Sequence, residues 1–320
     1  MSKLYASATN TTNILSAQVT NSYSDTAAMA SFKAIGTTLG IGDPVSVTLG
    51  YEGDNSQVFS GYVKEVKRSQ NPLVYDITAY DAMIRAADYF LASDDPDIPL
   101  IVANISAEDL IDQLMDIAGL TDFGYDATSF TFATQGPLEI NLVTIYDYCK
   151  MISETLAWHL YADMNGKVWF VERWNRVMAG DTSDYTLPVG PEIISVSYAE
   201  DERDLRNRIV VYGGGGISAS ASAVADEGAL PSGFYKTVVA SAEWIDNQSM
   251  AQSAADKNLT LLNKVGKEVN VTFVGQHDVF VRDTPTFTYS PLGISGLWFV
   301  DTVDHDWGRN GFTTTLRLRK

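Results

Sequence analysis

One stretch of strand-like sequence occurs twice in this chain and limits its fold more than any other feature. The first copy covers residues 42–80 and the second covers residues 283–319. In each copy an aspartate close to a proline is followed by alternating apolar and polar residues, a turn and a closing segment that alternates again. Such alternation, broken by Asn, Gly and Pro, is typical of half-buried antiparallel strands. The repeat therefore predicts two related β-modules in one chain.

An apolar pair set three residues apart marks the middle of both copies. Val63 and Val66 form this pair in the first copy, and Val300 and Val303 form it in the second. The offset between the copies is the same at both pairs and again in the closing strands. The copies lie too far apart for the stacked repeats of a solenoid, so we interpret them as two modules.

Residues 1–92 are predicted to form the first β-module. Residues 1–40 alternate weakly and indicate two or three Ser/Thr-rich strands, which the first copy follows. From Tyr80 to Leu91 the apolar spacing becomes helical, with Asp81 as the N-cap. The segment 93–99 contains two prolines and three aspartates, and this composition predicts a linker.

A small α+β module is predicted at residues 93–184. Ser106 begins a capping-box pattern that opens a helix, and Gly119 stands where a C-terminal glycine cap is expected. A second helix is predicted over 144–157. The Asn-Gly pair at 165–166, between two alternating arms, is a strong signal for a β-hairpin.

The second β-module is predicted at residues 185–320. It includes a helix at 248–264, and the glycines at 213–216 indicate a loop or an excursion at a sheet edge. Strands with one helix in each β-module predict an α+β fold that is mainly β, or β-barrels with a helix packed against each.

The composition excludes several classes of protein. A chain of 320 residues with 45% hydrophobic and 19% charged residues is typical of a folded globular protein. A net charge of −18 argues against binding to a nucleic-acid backbone, because that affinity comes from Lys and Arg. The single cysteine, Cys149, excludes an internal disulfide. With no signal peptide and no membrane-spanning apolar run, the sequence predicts a soluble protein made in a reducing cytoplasm.

The residue types that most often carry chemistry form no recognisable motif. His159, His277 and His305 are far apart in sequence and lack metal-site spacing, so we expect ordinary strand or turn histidines. Cys149 lies on an apolar helix face and is expected in the core. Aspartates flank His305 on both sides, but no nucleophile elbow accompanies them.

Other polar clusters have equally plain interpretations. The four glycines at 213–216 lack the lysine and the helix of a phosphate-binding loop. Carboxylates cluster at 94–97, 200–202 and 301–306, and in so acidic a chain we expect solvated turns instead of a glycosidase pair. The charged segment 201–208 indicates either local ion pairs or an interface stripe. We therefore expect no enzyme activity and no catalytic, cofactor or metal residues.

Short hydrophobic patterns occur in both predicted β-modules. They comprise an F-x-G-x-V strand followed by an aspartate and a helix (Phe59, Gly61, Val63, Asp81), a closing hairpin (Phe299, Val303, His305 and 313–318) and the strand within 203–214. Together these patterns resemble the tail hub proteins of bacteriophage baseplates, tail tips and contractile injection systems.

The resemblance implies two tail-tube-like β-barrel domains in each chain. It also implies a homotrimeric, pseudo-sixfold ring that joins a sixfold tail tube to a threefold spike or tip. The implied partners are the tube protein, the spike protein and a tape-measure protein, with DNA passing through a lumen and the protein located in the virion tail. An acidic lumen would repel phosphates and let DNA pass. The chain departs from the pattern in being short and in having no evident lysozyme or peptidase domain.

Two alternatives stay open. A distal tail protein or another tube-fold component usually forms hexameric rings and needs one module per chain, so the internal repeat disfavours it. A virion carbohydrate-binding or hydrolytic β-protein would need a tryptophan-lined cleft beside two converging carboxylates. Trp158, Trp169, Trp298 and Trp307 fall on predicted strands or turns, where packing roles are expected.

Overall fold

The computed structural model describes residues 3–70, 73–91, 100–128, 130–134, 136–225 and 229–320. Within these ranges the strands are β1 (Leu4–Ala8), β2 (Ile14–Ser22), β3 (Met29–Ala34), β4 (Pro44–Tyr51), β5 (Asp54–Ser69), β6 (Val74–Tyr80), β7 (Phe90–Leu91), β8 (Leu100–Val102), β9 (Ile105–Ser106), β10 (Phe123–Tyr125), β11 (Thr131–Phe132), β12 (Leu138–Ile140), β13 (Val143–Thr144), β14 (His159–Ala162), β15 (Val168–Val171), β16 (Ile193–Asp201), β17 (Arg208–Tyr212), β18 (Ser218–Ser222), β19 (Thr237–Ser241), β20 (Gly266–Val274), β21 (Phe299–Gly308) and β22 (Gly311–Arg319). The helices are α1 (Met83–Asp88), α2 (Ala107–Ile117), α3 (Ile145–Leu156) and α4 (Gln248–Leu262). The fold is therefore α+β and mainly β, as predicted. The linker predicted at 93–99 lies outside the described residues.

Ten of these strands form one antiparallel sheet that contains both copies of the repeat. Its strand order is β1-β4-β5-β6-β3-β2-β21-β22-β20-β16. The first copy supplies β4, β5 and β6, and the second supplies β21 and β22. The two halves of the sheet meet where β2 pairs with β21. The predicted β-modules are thus continuous with each other through main-chain hydrogen bonds.

Four strands in each half of the sheet follow the same order, so the sequence repeat is accompanied by a repeat of topology. The first half runs β5-β6-β3-β2 and the second half runs β21-β22-β20-β16. Across each half of the sheet, the two strands of the repeat hairpin lie next to the strand that comes before the repeat in the chain, which is β3 in the first half and β20 in the second. The strand beyond it, β2 or β16, comes still earlier in the chain. Strand β2 therefore matches β16, and β5 matches β21.

A β-bulge accounts for the valine pairs set three residues apart. The register between β5 and β6 shifts just after Val63, and the register between β21 and β22 shifts just after Val300. One extra residue displaces the alternation of side chains by one position. Val66 and Val303 therefore return to the core side of the sheet, where both pack against the apolar cores.

The aspartate that opens each copy makes the same turn in both halves. The carboxylates of Asp43 and Asp283 each accept a hydrogen bond from the amide three residues earlier, at 2.7 and 2.9 Å. Val63 N then donates to the Asp43 carbonyl at 3.0 Å. Val300 N donates to the Asp283 carbonyl at 2.9 Å. The two copies thus share backbone geometry that their few identical residues do not reveal.

Three hydrophobic cores support the sheet. One core packs on its first half, around Phe32 and Phe59, and another packs on its second half, around Phe273 and Phe287. The third core is central and combines the four helices with short strands such as β14, β15 and β17. Full burial of each large apolar side chain contributes about 1.5–3 kcal/mol, so each core can stabilise its own part of the fold.

The caps of two central helices follow the sequence signals. Ser106 accepts a hydrogen bond from Asp109 N at the start of α2, and Gly119 follows its last turn with a φ of +74°. Thr144 accepts one from Asp147 N in the same way at the start of α3. Both predicted helices are confirmed because their signals are local.

The other two helices depart from the prediction. Helix α1 is shorter than 80–91, and its N-cap position is Ala82 instead of Asp81, although the Asp81 carboxylate accepts a hydrogen bond from Met83 N at 2.9 Å. Helix α4 forms as predicted, but its buried face and that of α1 belong to the central core. Neither β-half therefore has a helix in its own core. The predicted boundaries at 92 and 184 remain predictions.

Both glycine signals mark turns. Strands β14 and β15 pair across a loop in which Gly166 has a φ of +89°, and the Asp163 carboxylate accepts hydrogen bonds from Asn165 N and Lys167 N. The glycines at 213–216 join β17 to β18, and a Cβ at Gly213 would lie 2.4 Å from the Ile245 carbonyl oxygen. The glycine run thus permits a close backbone approach.

Replacing Gly61 by alanine tests the close packing of β5 on β6. A Cβ at Gly61 would lie 2.1 Å from the Tyr80 carbonyl oxygen, so the backbone must shift. We expect the free energy of unfolding to fall by about 1–3 kcal/mol, the usual range for overpacking. The control is Gly308→Ala on β21, where the new Cβ makes an ordinary contact of 3.5 Å with Ser16. Urea denaturation compares the two, and equal stability would contradict the close approach.

Candidate assembly site

The joint between the two halves of the sheet is formed by β2 and β21. Their register places Thr20 opposite Asp304. Just beyond β2, Tyr23 N donates a hydrogen bond to the Asp301 carbonyl at 2.8 Å. A ladder of this kind fixes the register and the relative direction of both copies.

A second contact ties the halves together through a histidine. His277 follows β20 in the second half, and its Nδ1 and Nε2 lie 3.2 Å from Ser56 Oγ and 3.1 Å from Asp54 Oδ1, both on β5. Ser56 Oγ also donates to the His277 carbonyl at 2.5 Å. His277 is therefore a structural contact.

Where the joint meets the central core, four side chains form what we call the joint cluster: Tyr23, His159, Tyr161 and Arg282. The His159 ring stacks on Tyr23 with centroids 3.7 Å apart and on Tyr161 with centroids 5.3 Å apart. Tyr23 follows β2, and Arg282 precedes the second copy of the repeat. His159 and Tyr161 both lie on β14. Three separate parts of the chain thus meet in one cluster.

Arg282 contacts the other side chains of the joint cluster from an unfavourable, left-handed backbone conformation. Its φ is +84°, and Gly42, with a φ of +88°, occupies the equivalent position in the first copy. A left-handed conformation costs a non-glycine residue about 1–2 kcal/mol. The guanidinium of Arg282 lies 3.4 Å from the Tyr161 ring centroid, and its Nε donates to His159 Nδ1 at 3.2 Å. These contacts offset the unfavourable backbone conformation, and they explain why the second copy has an arginine at the position where the first copy has a glycine.

The contacts of His159 require its neutral form. Nδ1 accepts from Arg282, so the proton is on Nε2, which donates to the Tyr23 carbonyl at 3.0 Å. Desolvation by burial, and next the charge of Arg282, lower the pKa of His159 well below its ordinary value. Beside the cluster, burial raises the pKa of Asp81 to about 7, although Ala28 N and Met83 N donate to its carboxylate.

The remaining candidates for chemistry lie apart from one another. His305 is buried, its Nδ1 lies 3.0 Å from Thr314 Oγ1, and burial lowers its pKa to about 3. Cys149 is buried in the central core, and burial raises its pKa. The expectation of structural histidines and a core cysteine therefore matches their surroundings.

The carboxylate clusters are divided among separate tasks. Asp301 is buried and accepts a hydrogen bond from Arg317 Nε at 2.6 Å, whereas further along β21 Asp304 is half-buried and Asp306 is exposed. Asp201, at the end of β16, accepts from Arg203 N at 2.8 Å. The carboxylates at 94–97 lie outside the described residues. In the part of the chain that is described, no group of three or more His, Cys, Asp or Glu side chains could hold a metal ion.

The sheet face turned away from the cores carries hydroxyl groups and charges of both signs. Its side chains include Ser16, Gln18 and Thr20 on β2, Ser31 and Lys33 on β3, Asp76 and Thr78 on β6, Thr302, Asp304 and Asp306 on β21, and Thr313, Thr315 and Arg317 on β22. We call this surface the polar face. Among the described residues, no helix is long and apolar enough to cross a membrane.

Apart from the terminal strand β1, two segments of the sheet present an edge with no partner strand in the described part. One is β16, which pairs with β20 on its other side. The second is residues 64–69 of β5, because β4 pairs with residues 54–62 along this edge and β6 occupies the opposite edge. Unpaired N–H and C=O groups at a sheet edge can pair with another chain. These two segments are the candidate assembly site.

The fold is similar to that of solved tail proteins. A tail protein from Neisseria meningitidis MC58 aligns with a TM-score of 0.73 and 14% identity over 99% of this chain and 97% of that chain. The 43 kDa tail protein of prophage MuSo2 from Shewanella oneidensis aligns with a TM-score of 0.71 and 12% identity over 99% and 98%. The E. coli c3393 protein is a type VI secretion component described as similar to the T4 tail proteins gp27 and gp5. It aligns with a TM-score of 0.59 and 10% identity over 98% and 76%. The chain therefore shares its fold with these solved tail proteins.

The sequence itself identifies the family. A family model described as YQBQ-like matches residues 17–319, nearly the whole chain. The chain belongs to the YQBQ-like family. No curated protein sequence matches it. The resemblance to tail proteins that the short motifs indicated is confirmed in the fold.

Two substitutions at Arg282 separate its contacts from its backbone strain. Arg282→Ala and Arg282→Gly both remove the guanidinium from Tyr161 and His159, so both variants should unfold more easily than the wild type. Alanine keeps the left-handed strain, so we expect it to be less stable than glycine by about 1 kcal/mol. Urea denaturation measures both, and equal stability would contradict the strain.

His159→Gln tests the neutral histidine. Since the folded pKa lies well below the unfolded value of about 6.5, the unfolded chain binds a proton that the folded chain does not, and the free energy of unfolding falls as pH drops below about 6.5. Between pH 7 and 5 we expect the variant to lose about 1–2 kcal/mol less than the wild type. Urea titrations at both pH values measure this. An unchanged pH dependence would show that His159 titrates normally.

Proposed function

We propose that this protein is a structural hub of a phage-type tail or baseplate. In the proposal three copies form a ring that joins a sixfold tail tube to a threefold spike or tip. The observation that carries it is the repeated strand order within one chain, with the two halves joined edge to edge by β2 and β21. Each half is taken to be one tail-tube-like β-barrel domain.

The physical argument is one of symmetry. Three chains with two similar halves each present six similar units, which can face a sixfold tube on one side. The two halves of a chain are not identical, and each kind of half occurs only three times around the ring. The other side of the ring can therefore face a threefold partner. Closed rings arise when identical head-to-tail contacts complete a rotation. A duplicated fold thus resolves a symmetry mismatch within one polypeptide.

The proposed partners follow from this position. They are further copies of this chain, a tail tube protein, a spike or tip protein and a tape-measure protein, all located in the virion tail. The similar structures are those of tail proteins and of a type VI secretion component, and they support the assignment by analogy of fold.

DNA is proposed to pass through the ring without being bound. The sequence suggested an acidic lumen, but the polar face carries basic as well as acidic residues, and Lys33 and Arg317 form ion pairs with Asp76 and Asp301. If this face lines the lumen, its hydroxyl groups and near balance of charge offer few cations for phosphates to bind. Weak adhesion would then come from balanced charge instead of from an acidic lining.

A catalytic role has less support than a structural one. Burial keeps His305 and Cys149 away from substrates, and His159 is occupied on both ring nitrogens. For the carbohydrate alternative, a pocket lined by Trp158 and Trp174 has Glu154 as its acidic residue, whereas hydrolysis of a glycoside needs two converging carboxylates. We therefore propose that the protein is not an enzyme.

The solution mass of the purified chain tests the proposal. Light scattering coupled to size exclusion should give a mass near three times the 34.9 kDa of the monomer. A hexamer would support the alternative of a distal tail protein or another tube-fold component. A monomer at every concentration tested would contradict a hub that assembles by itself.

A further inference from the structure

We propose that neighbouring copies join by pairing β16 of one copy with residues 64–69 of β5 in the next. The pairing is antiparallel and uses the register that β2 and β21 use inside each chain. The inference rests on the proposed ring and names the surfaces that would build it. Its occupant is a second copy of this chain, because the chain carries both halves of the contact.

The first half of the contact, β16, is the structural counterpart of β2. Ala79 on β6 and Leu316 on β22 correspond in the repeat. Two strands further along the sheet, Ala79 leads to Val19 on β2, and Leu316 leads to Val196 on β16. Val196 therefore stands where Val19 stands, but β16 has an open edge where β2 has β21.

The other surface of the contact, residues 64–69 of β5, corresponds to the part of β21 that pairs with β2. In the second half of the sheet, Val300 pairs with Asp283, and residues 302–307 then pair with β2 along the same edge. In the first half, Val63 pairs with Asp43 in the same way. The edge beyond Val63 continues as 64–69 with no strand of the described part beside it.

The internal joint sets the register between copies. Inside the chain Thr20 lies opposite Asp304. Ser197 is the counterpart of Thr20, and Lys67 is the counterpart of Asp304. The same register between two copies therefore puts Ser197 of one copy opposite Lys67 of the next. Continuing in both directions puts Val196 opposite Arg68, and Glu200 near Lys64.

Charge and side-chain size favour this pairing. The β5 segment begins with Lys64 and β16 ends with Glu200 and Asp201, so this register brings opposite charges together at one end of the contact, between Lys64 and Glu200. The present ion pairs of Lys64 with Asp88 and of Lys67 with Glu65 are exposed at the surface, and such pairs contribute little. They can therefore rearrange when a second strand arrives.

The outward side chains of β16 also leave room for a neighbour. Ser195, Ser197 and Ala199 alternate along the strand and are exposed. Small side chains on an edge strand do not obstruct a close approach of another backbone, and the register shift in β16 lies between Ile193 and Ser195, before the residues that would pair. The edge is suited to pairing.

Disulfide trapping in the full chain tests the register. Lys67→Cys combined with Ser197→Cys places two cysteines directly opposite, with Cα atoms about 4.5–5.5 Å apart, which is within disulfide range. Mild oxidation should give covalent dimers and closed trimers on a non-reducing gel. Each single variant should stay monomeric on the gel, and the buried Cys149 is present in all of them.

Displaced pairs serve as matched controls. Lys67→Cys with Ser195→Cys, or with Ala199→Cys, keeps the same strand and face but sets the cysteines diagonally, about 7–8 Å apart. We expect at least a fivefold lower cross-linking yield from either pair. Thermal midpoints equal to that of the wild type establish that each variant is folded.

The outcomes separate this inference from the proposed function. A trimeric mass with no cross-link, or with the best yield at a displaced pair, would overturn the strand pairing and leave the ring. Efficient cross-linking at Lys67 and Ser197 in an assembly of another size would support the pairing and overturn the ring of three. Monomers without cross-links would overturn both.

Discussion

The structure depends on one ladder of main-chain hydrogen bonds, the pairing of β2 with β21. It turns two copies of a β-module into one ten-stranded sheet and places three hydrophobic cores in fixed positions around it. Main-chain pairing specifies a register, because a slip of one residue would turn every side chain to the opposite face. The alternation of buried and polar residues on both strands therefore holds the copies in one arrangement.

The joint cluster adds side-chain contacts that strand pairing does not provide. His159 is held neutral between two tyrosine rings while it accepts from one cation and donates to one carbonyl. Arg282 keeps a left-handed backbone to reach that position. Strained residues persist where the surrounding contacts more than compensate for them. The cluster thus fastens the central core to the joint.

Local features were predictable from the sequence, and long-range neighbours were not. The caps of α2 and α3 depend on residues three positions apart, so their signals were sufficient. Alternation indicated which face of each strand is buried, but not that β2 pairs with β21 or that α4 joins the central core. The joint cluster was missed, although aligning the copies places Arg282 against Gly42, and an arginine at a glycine position is a detectable signal.

That difference between Arg282 and Gly42 has a mechanical consequence for the proposed ring. Joints within a chain have the arginine, which clamps β2 and β21 to the central core. At a joint between chains the equivalent residue is Gly42, which has open space where a side chain would start. Stiff and compliant joints would alternate around the ring. A load transmitted along a tail would then open or tilt the ring at three places, and a threefold spike could respond to that movement while a sixfold tube stays in register.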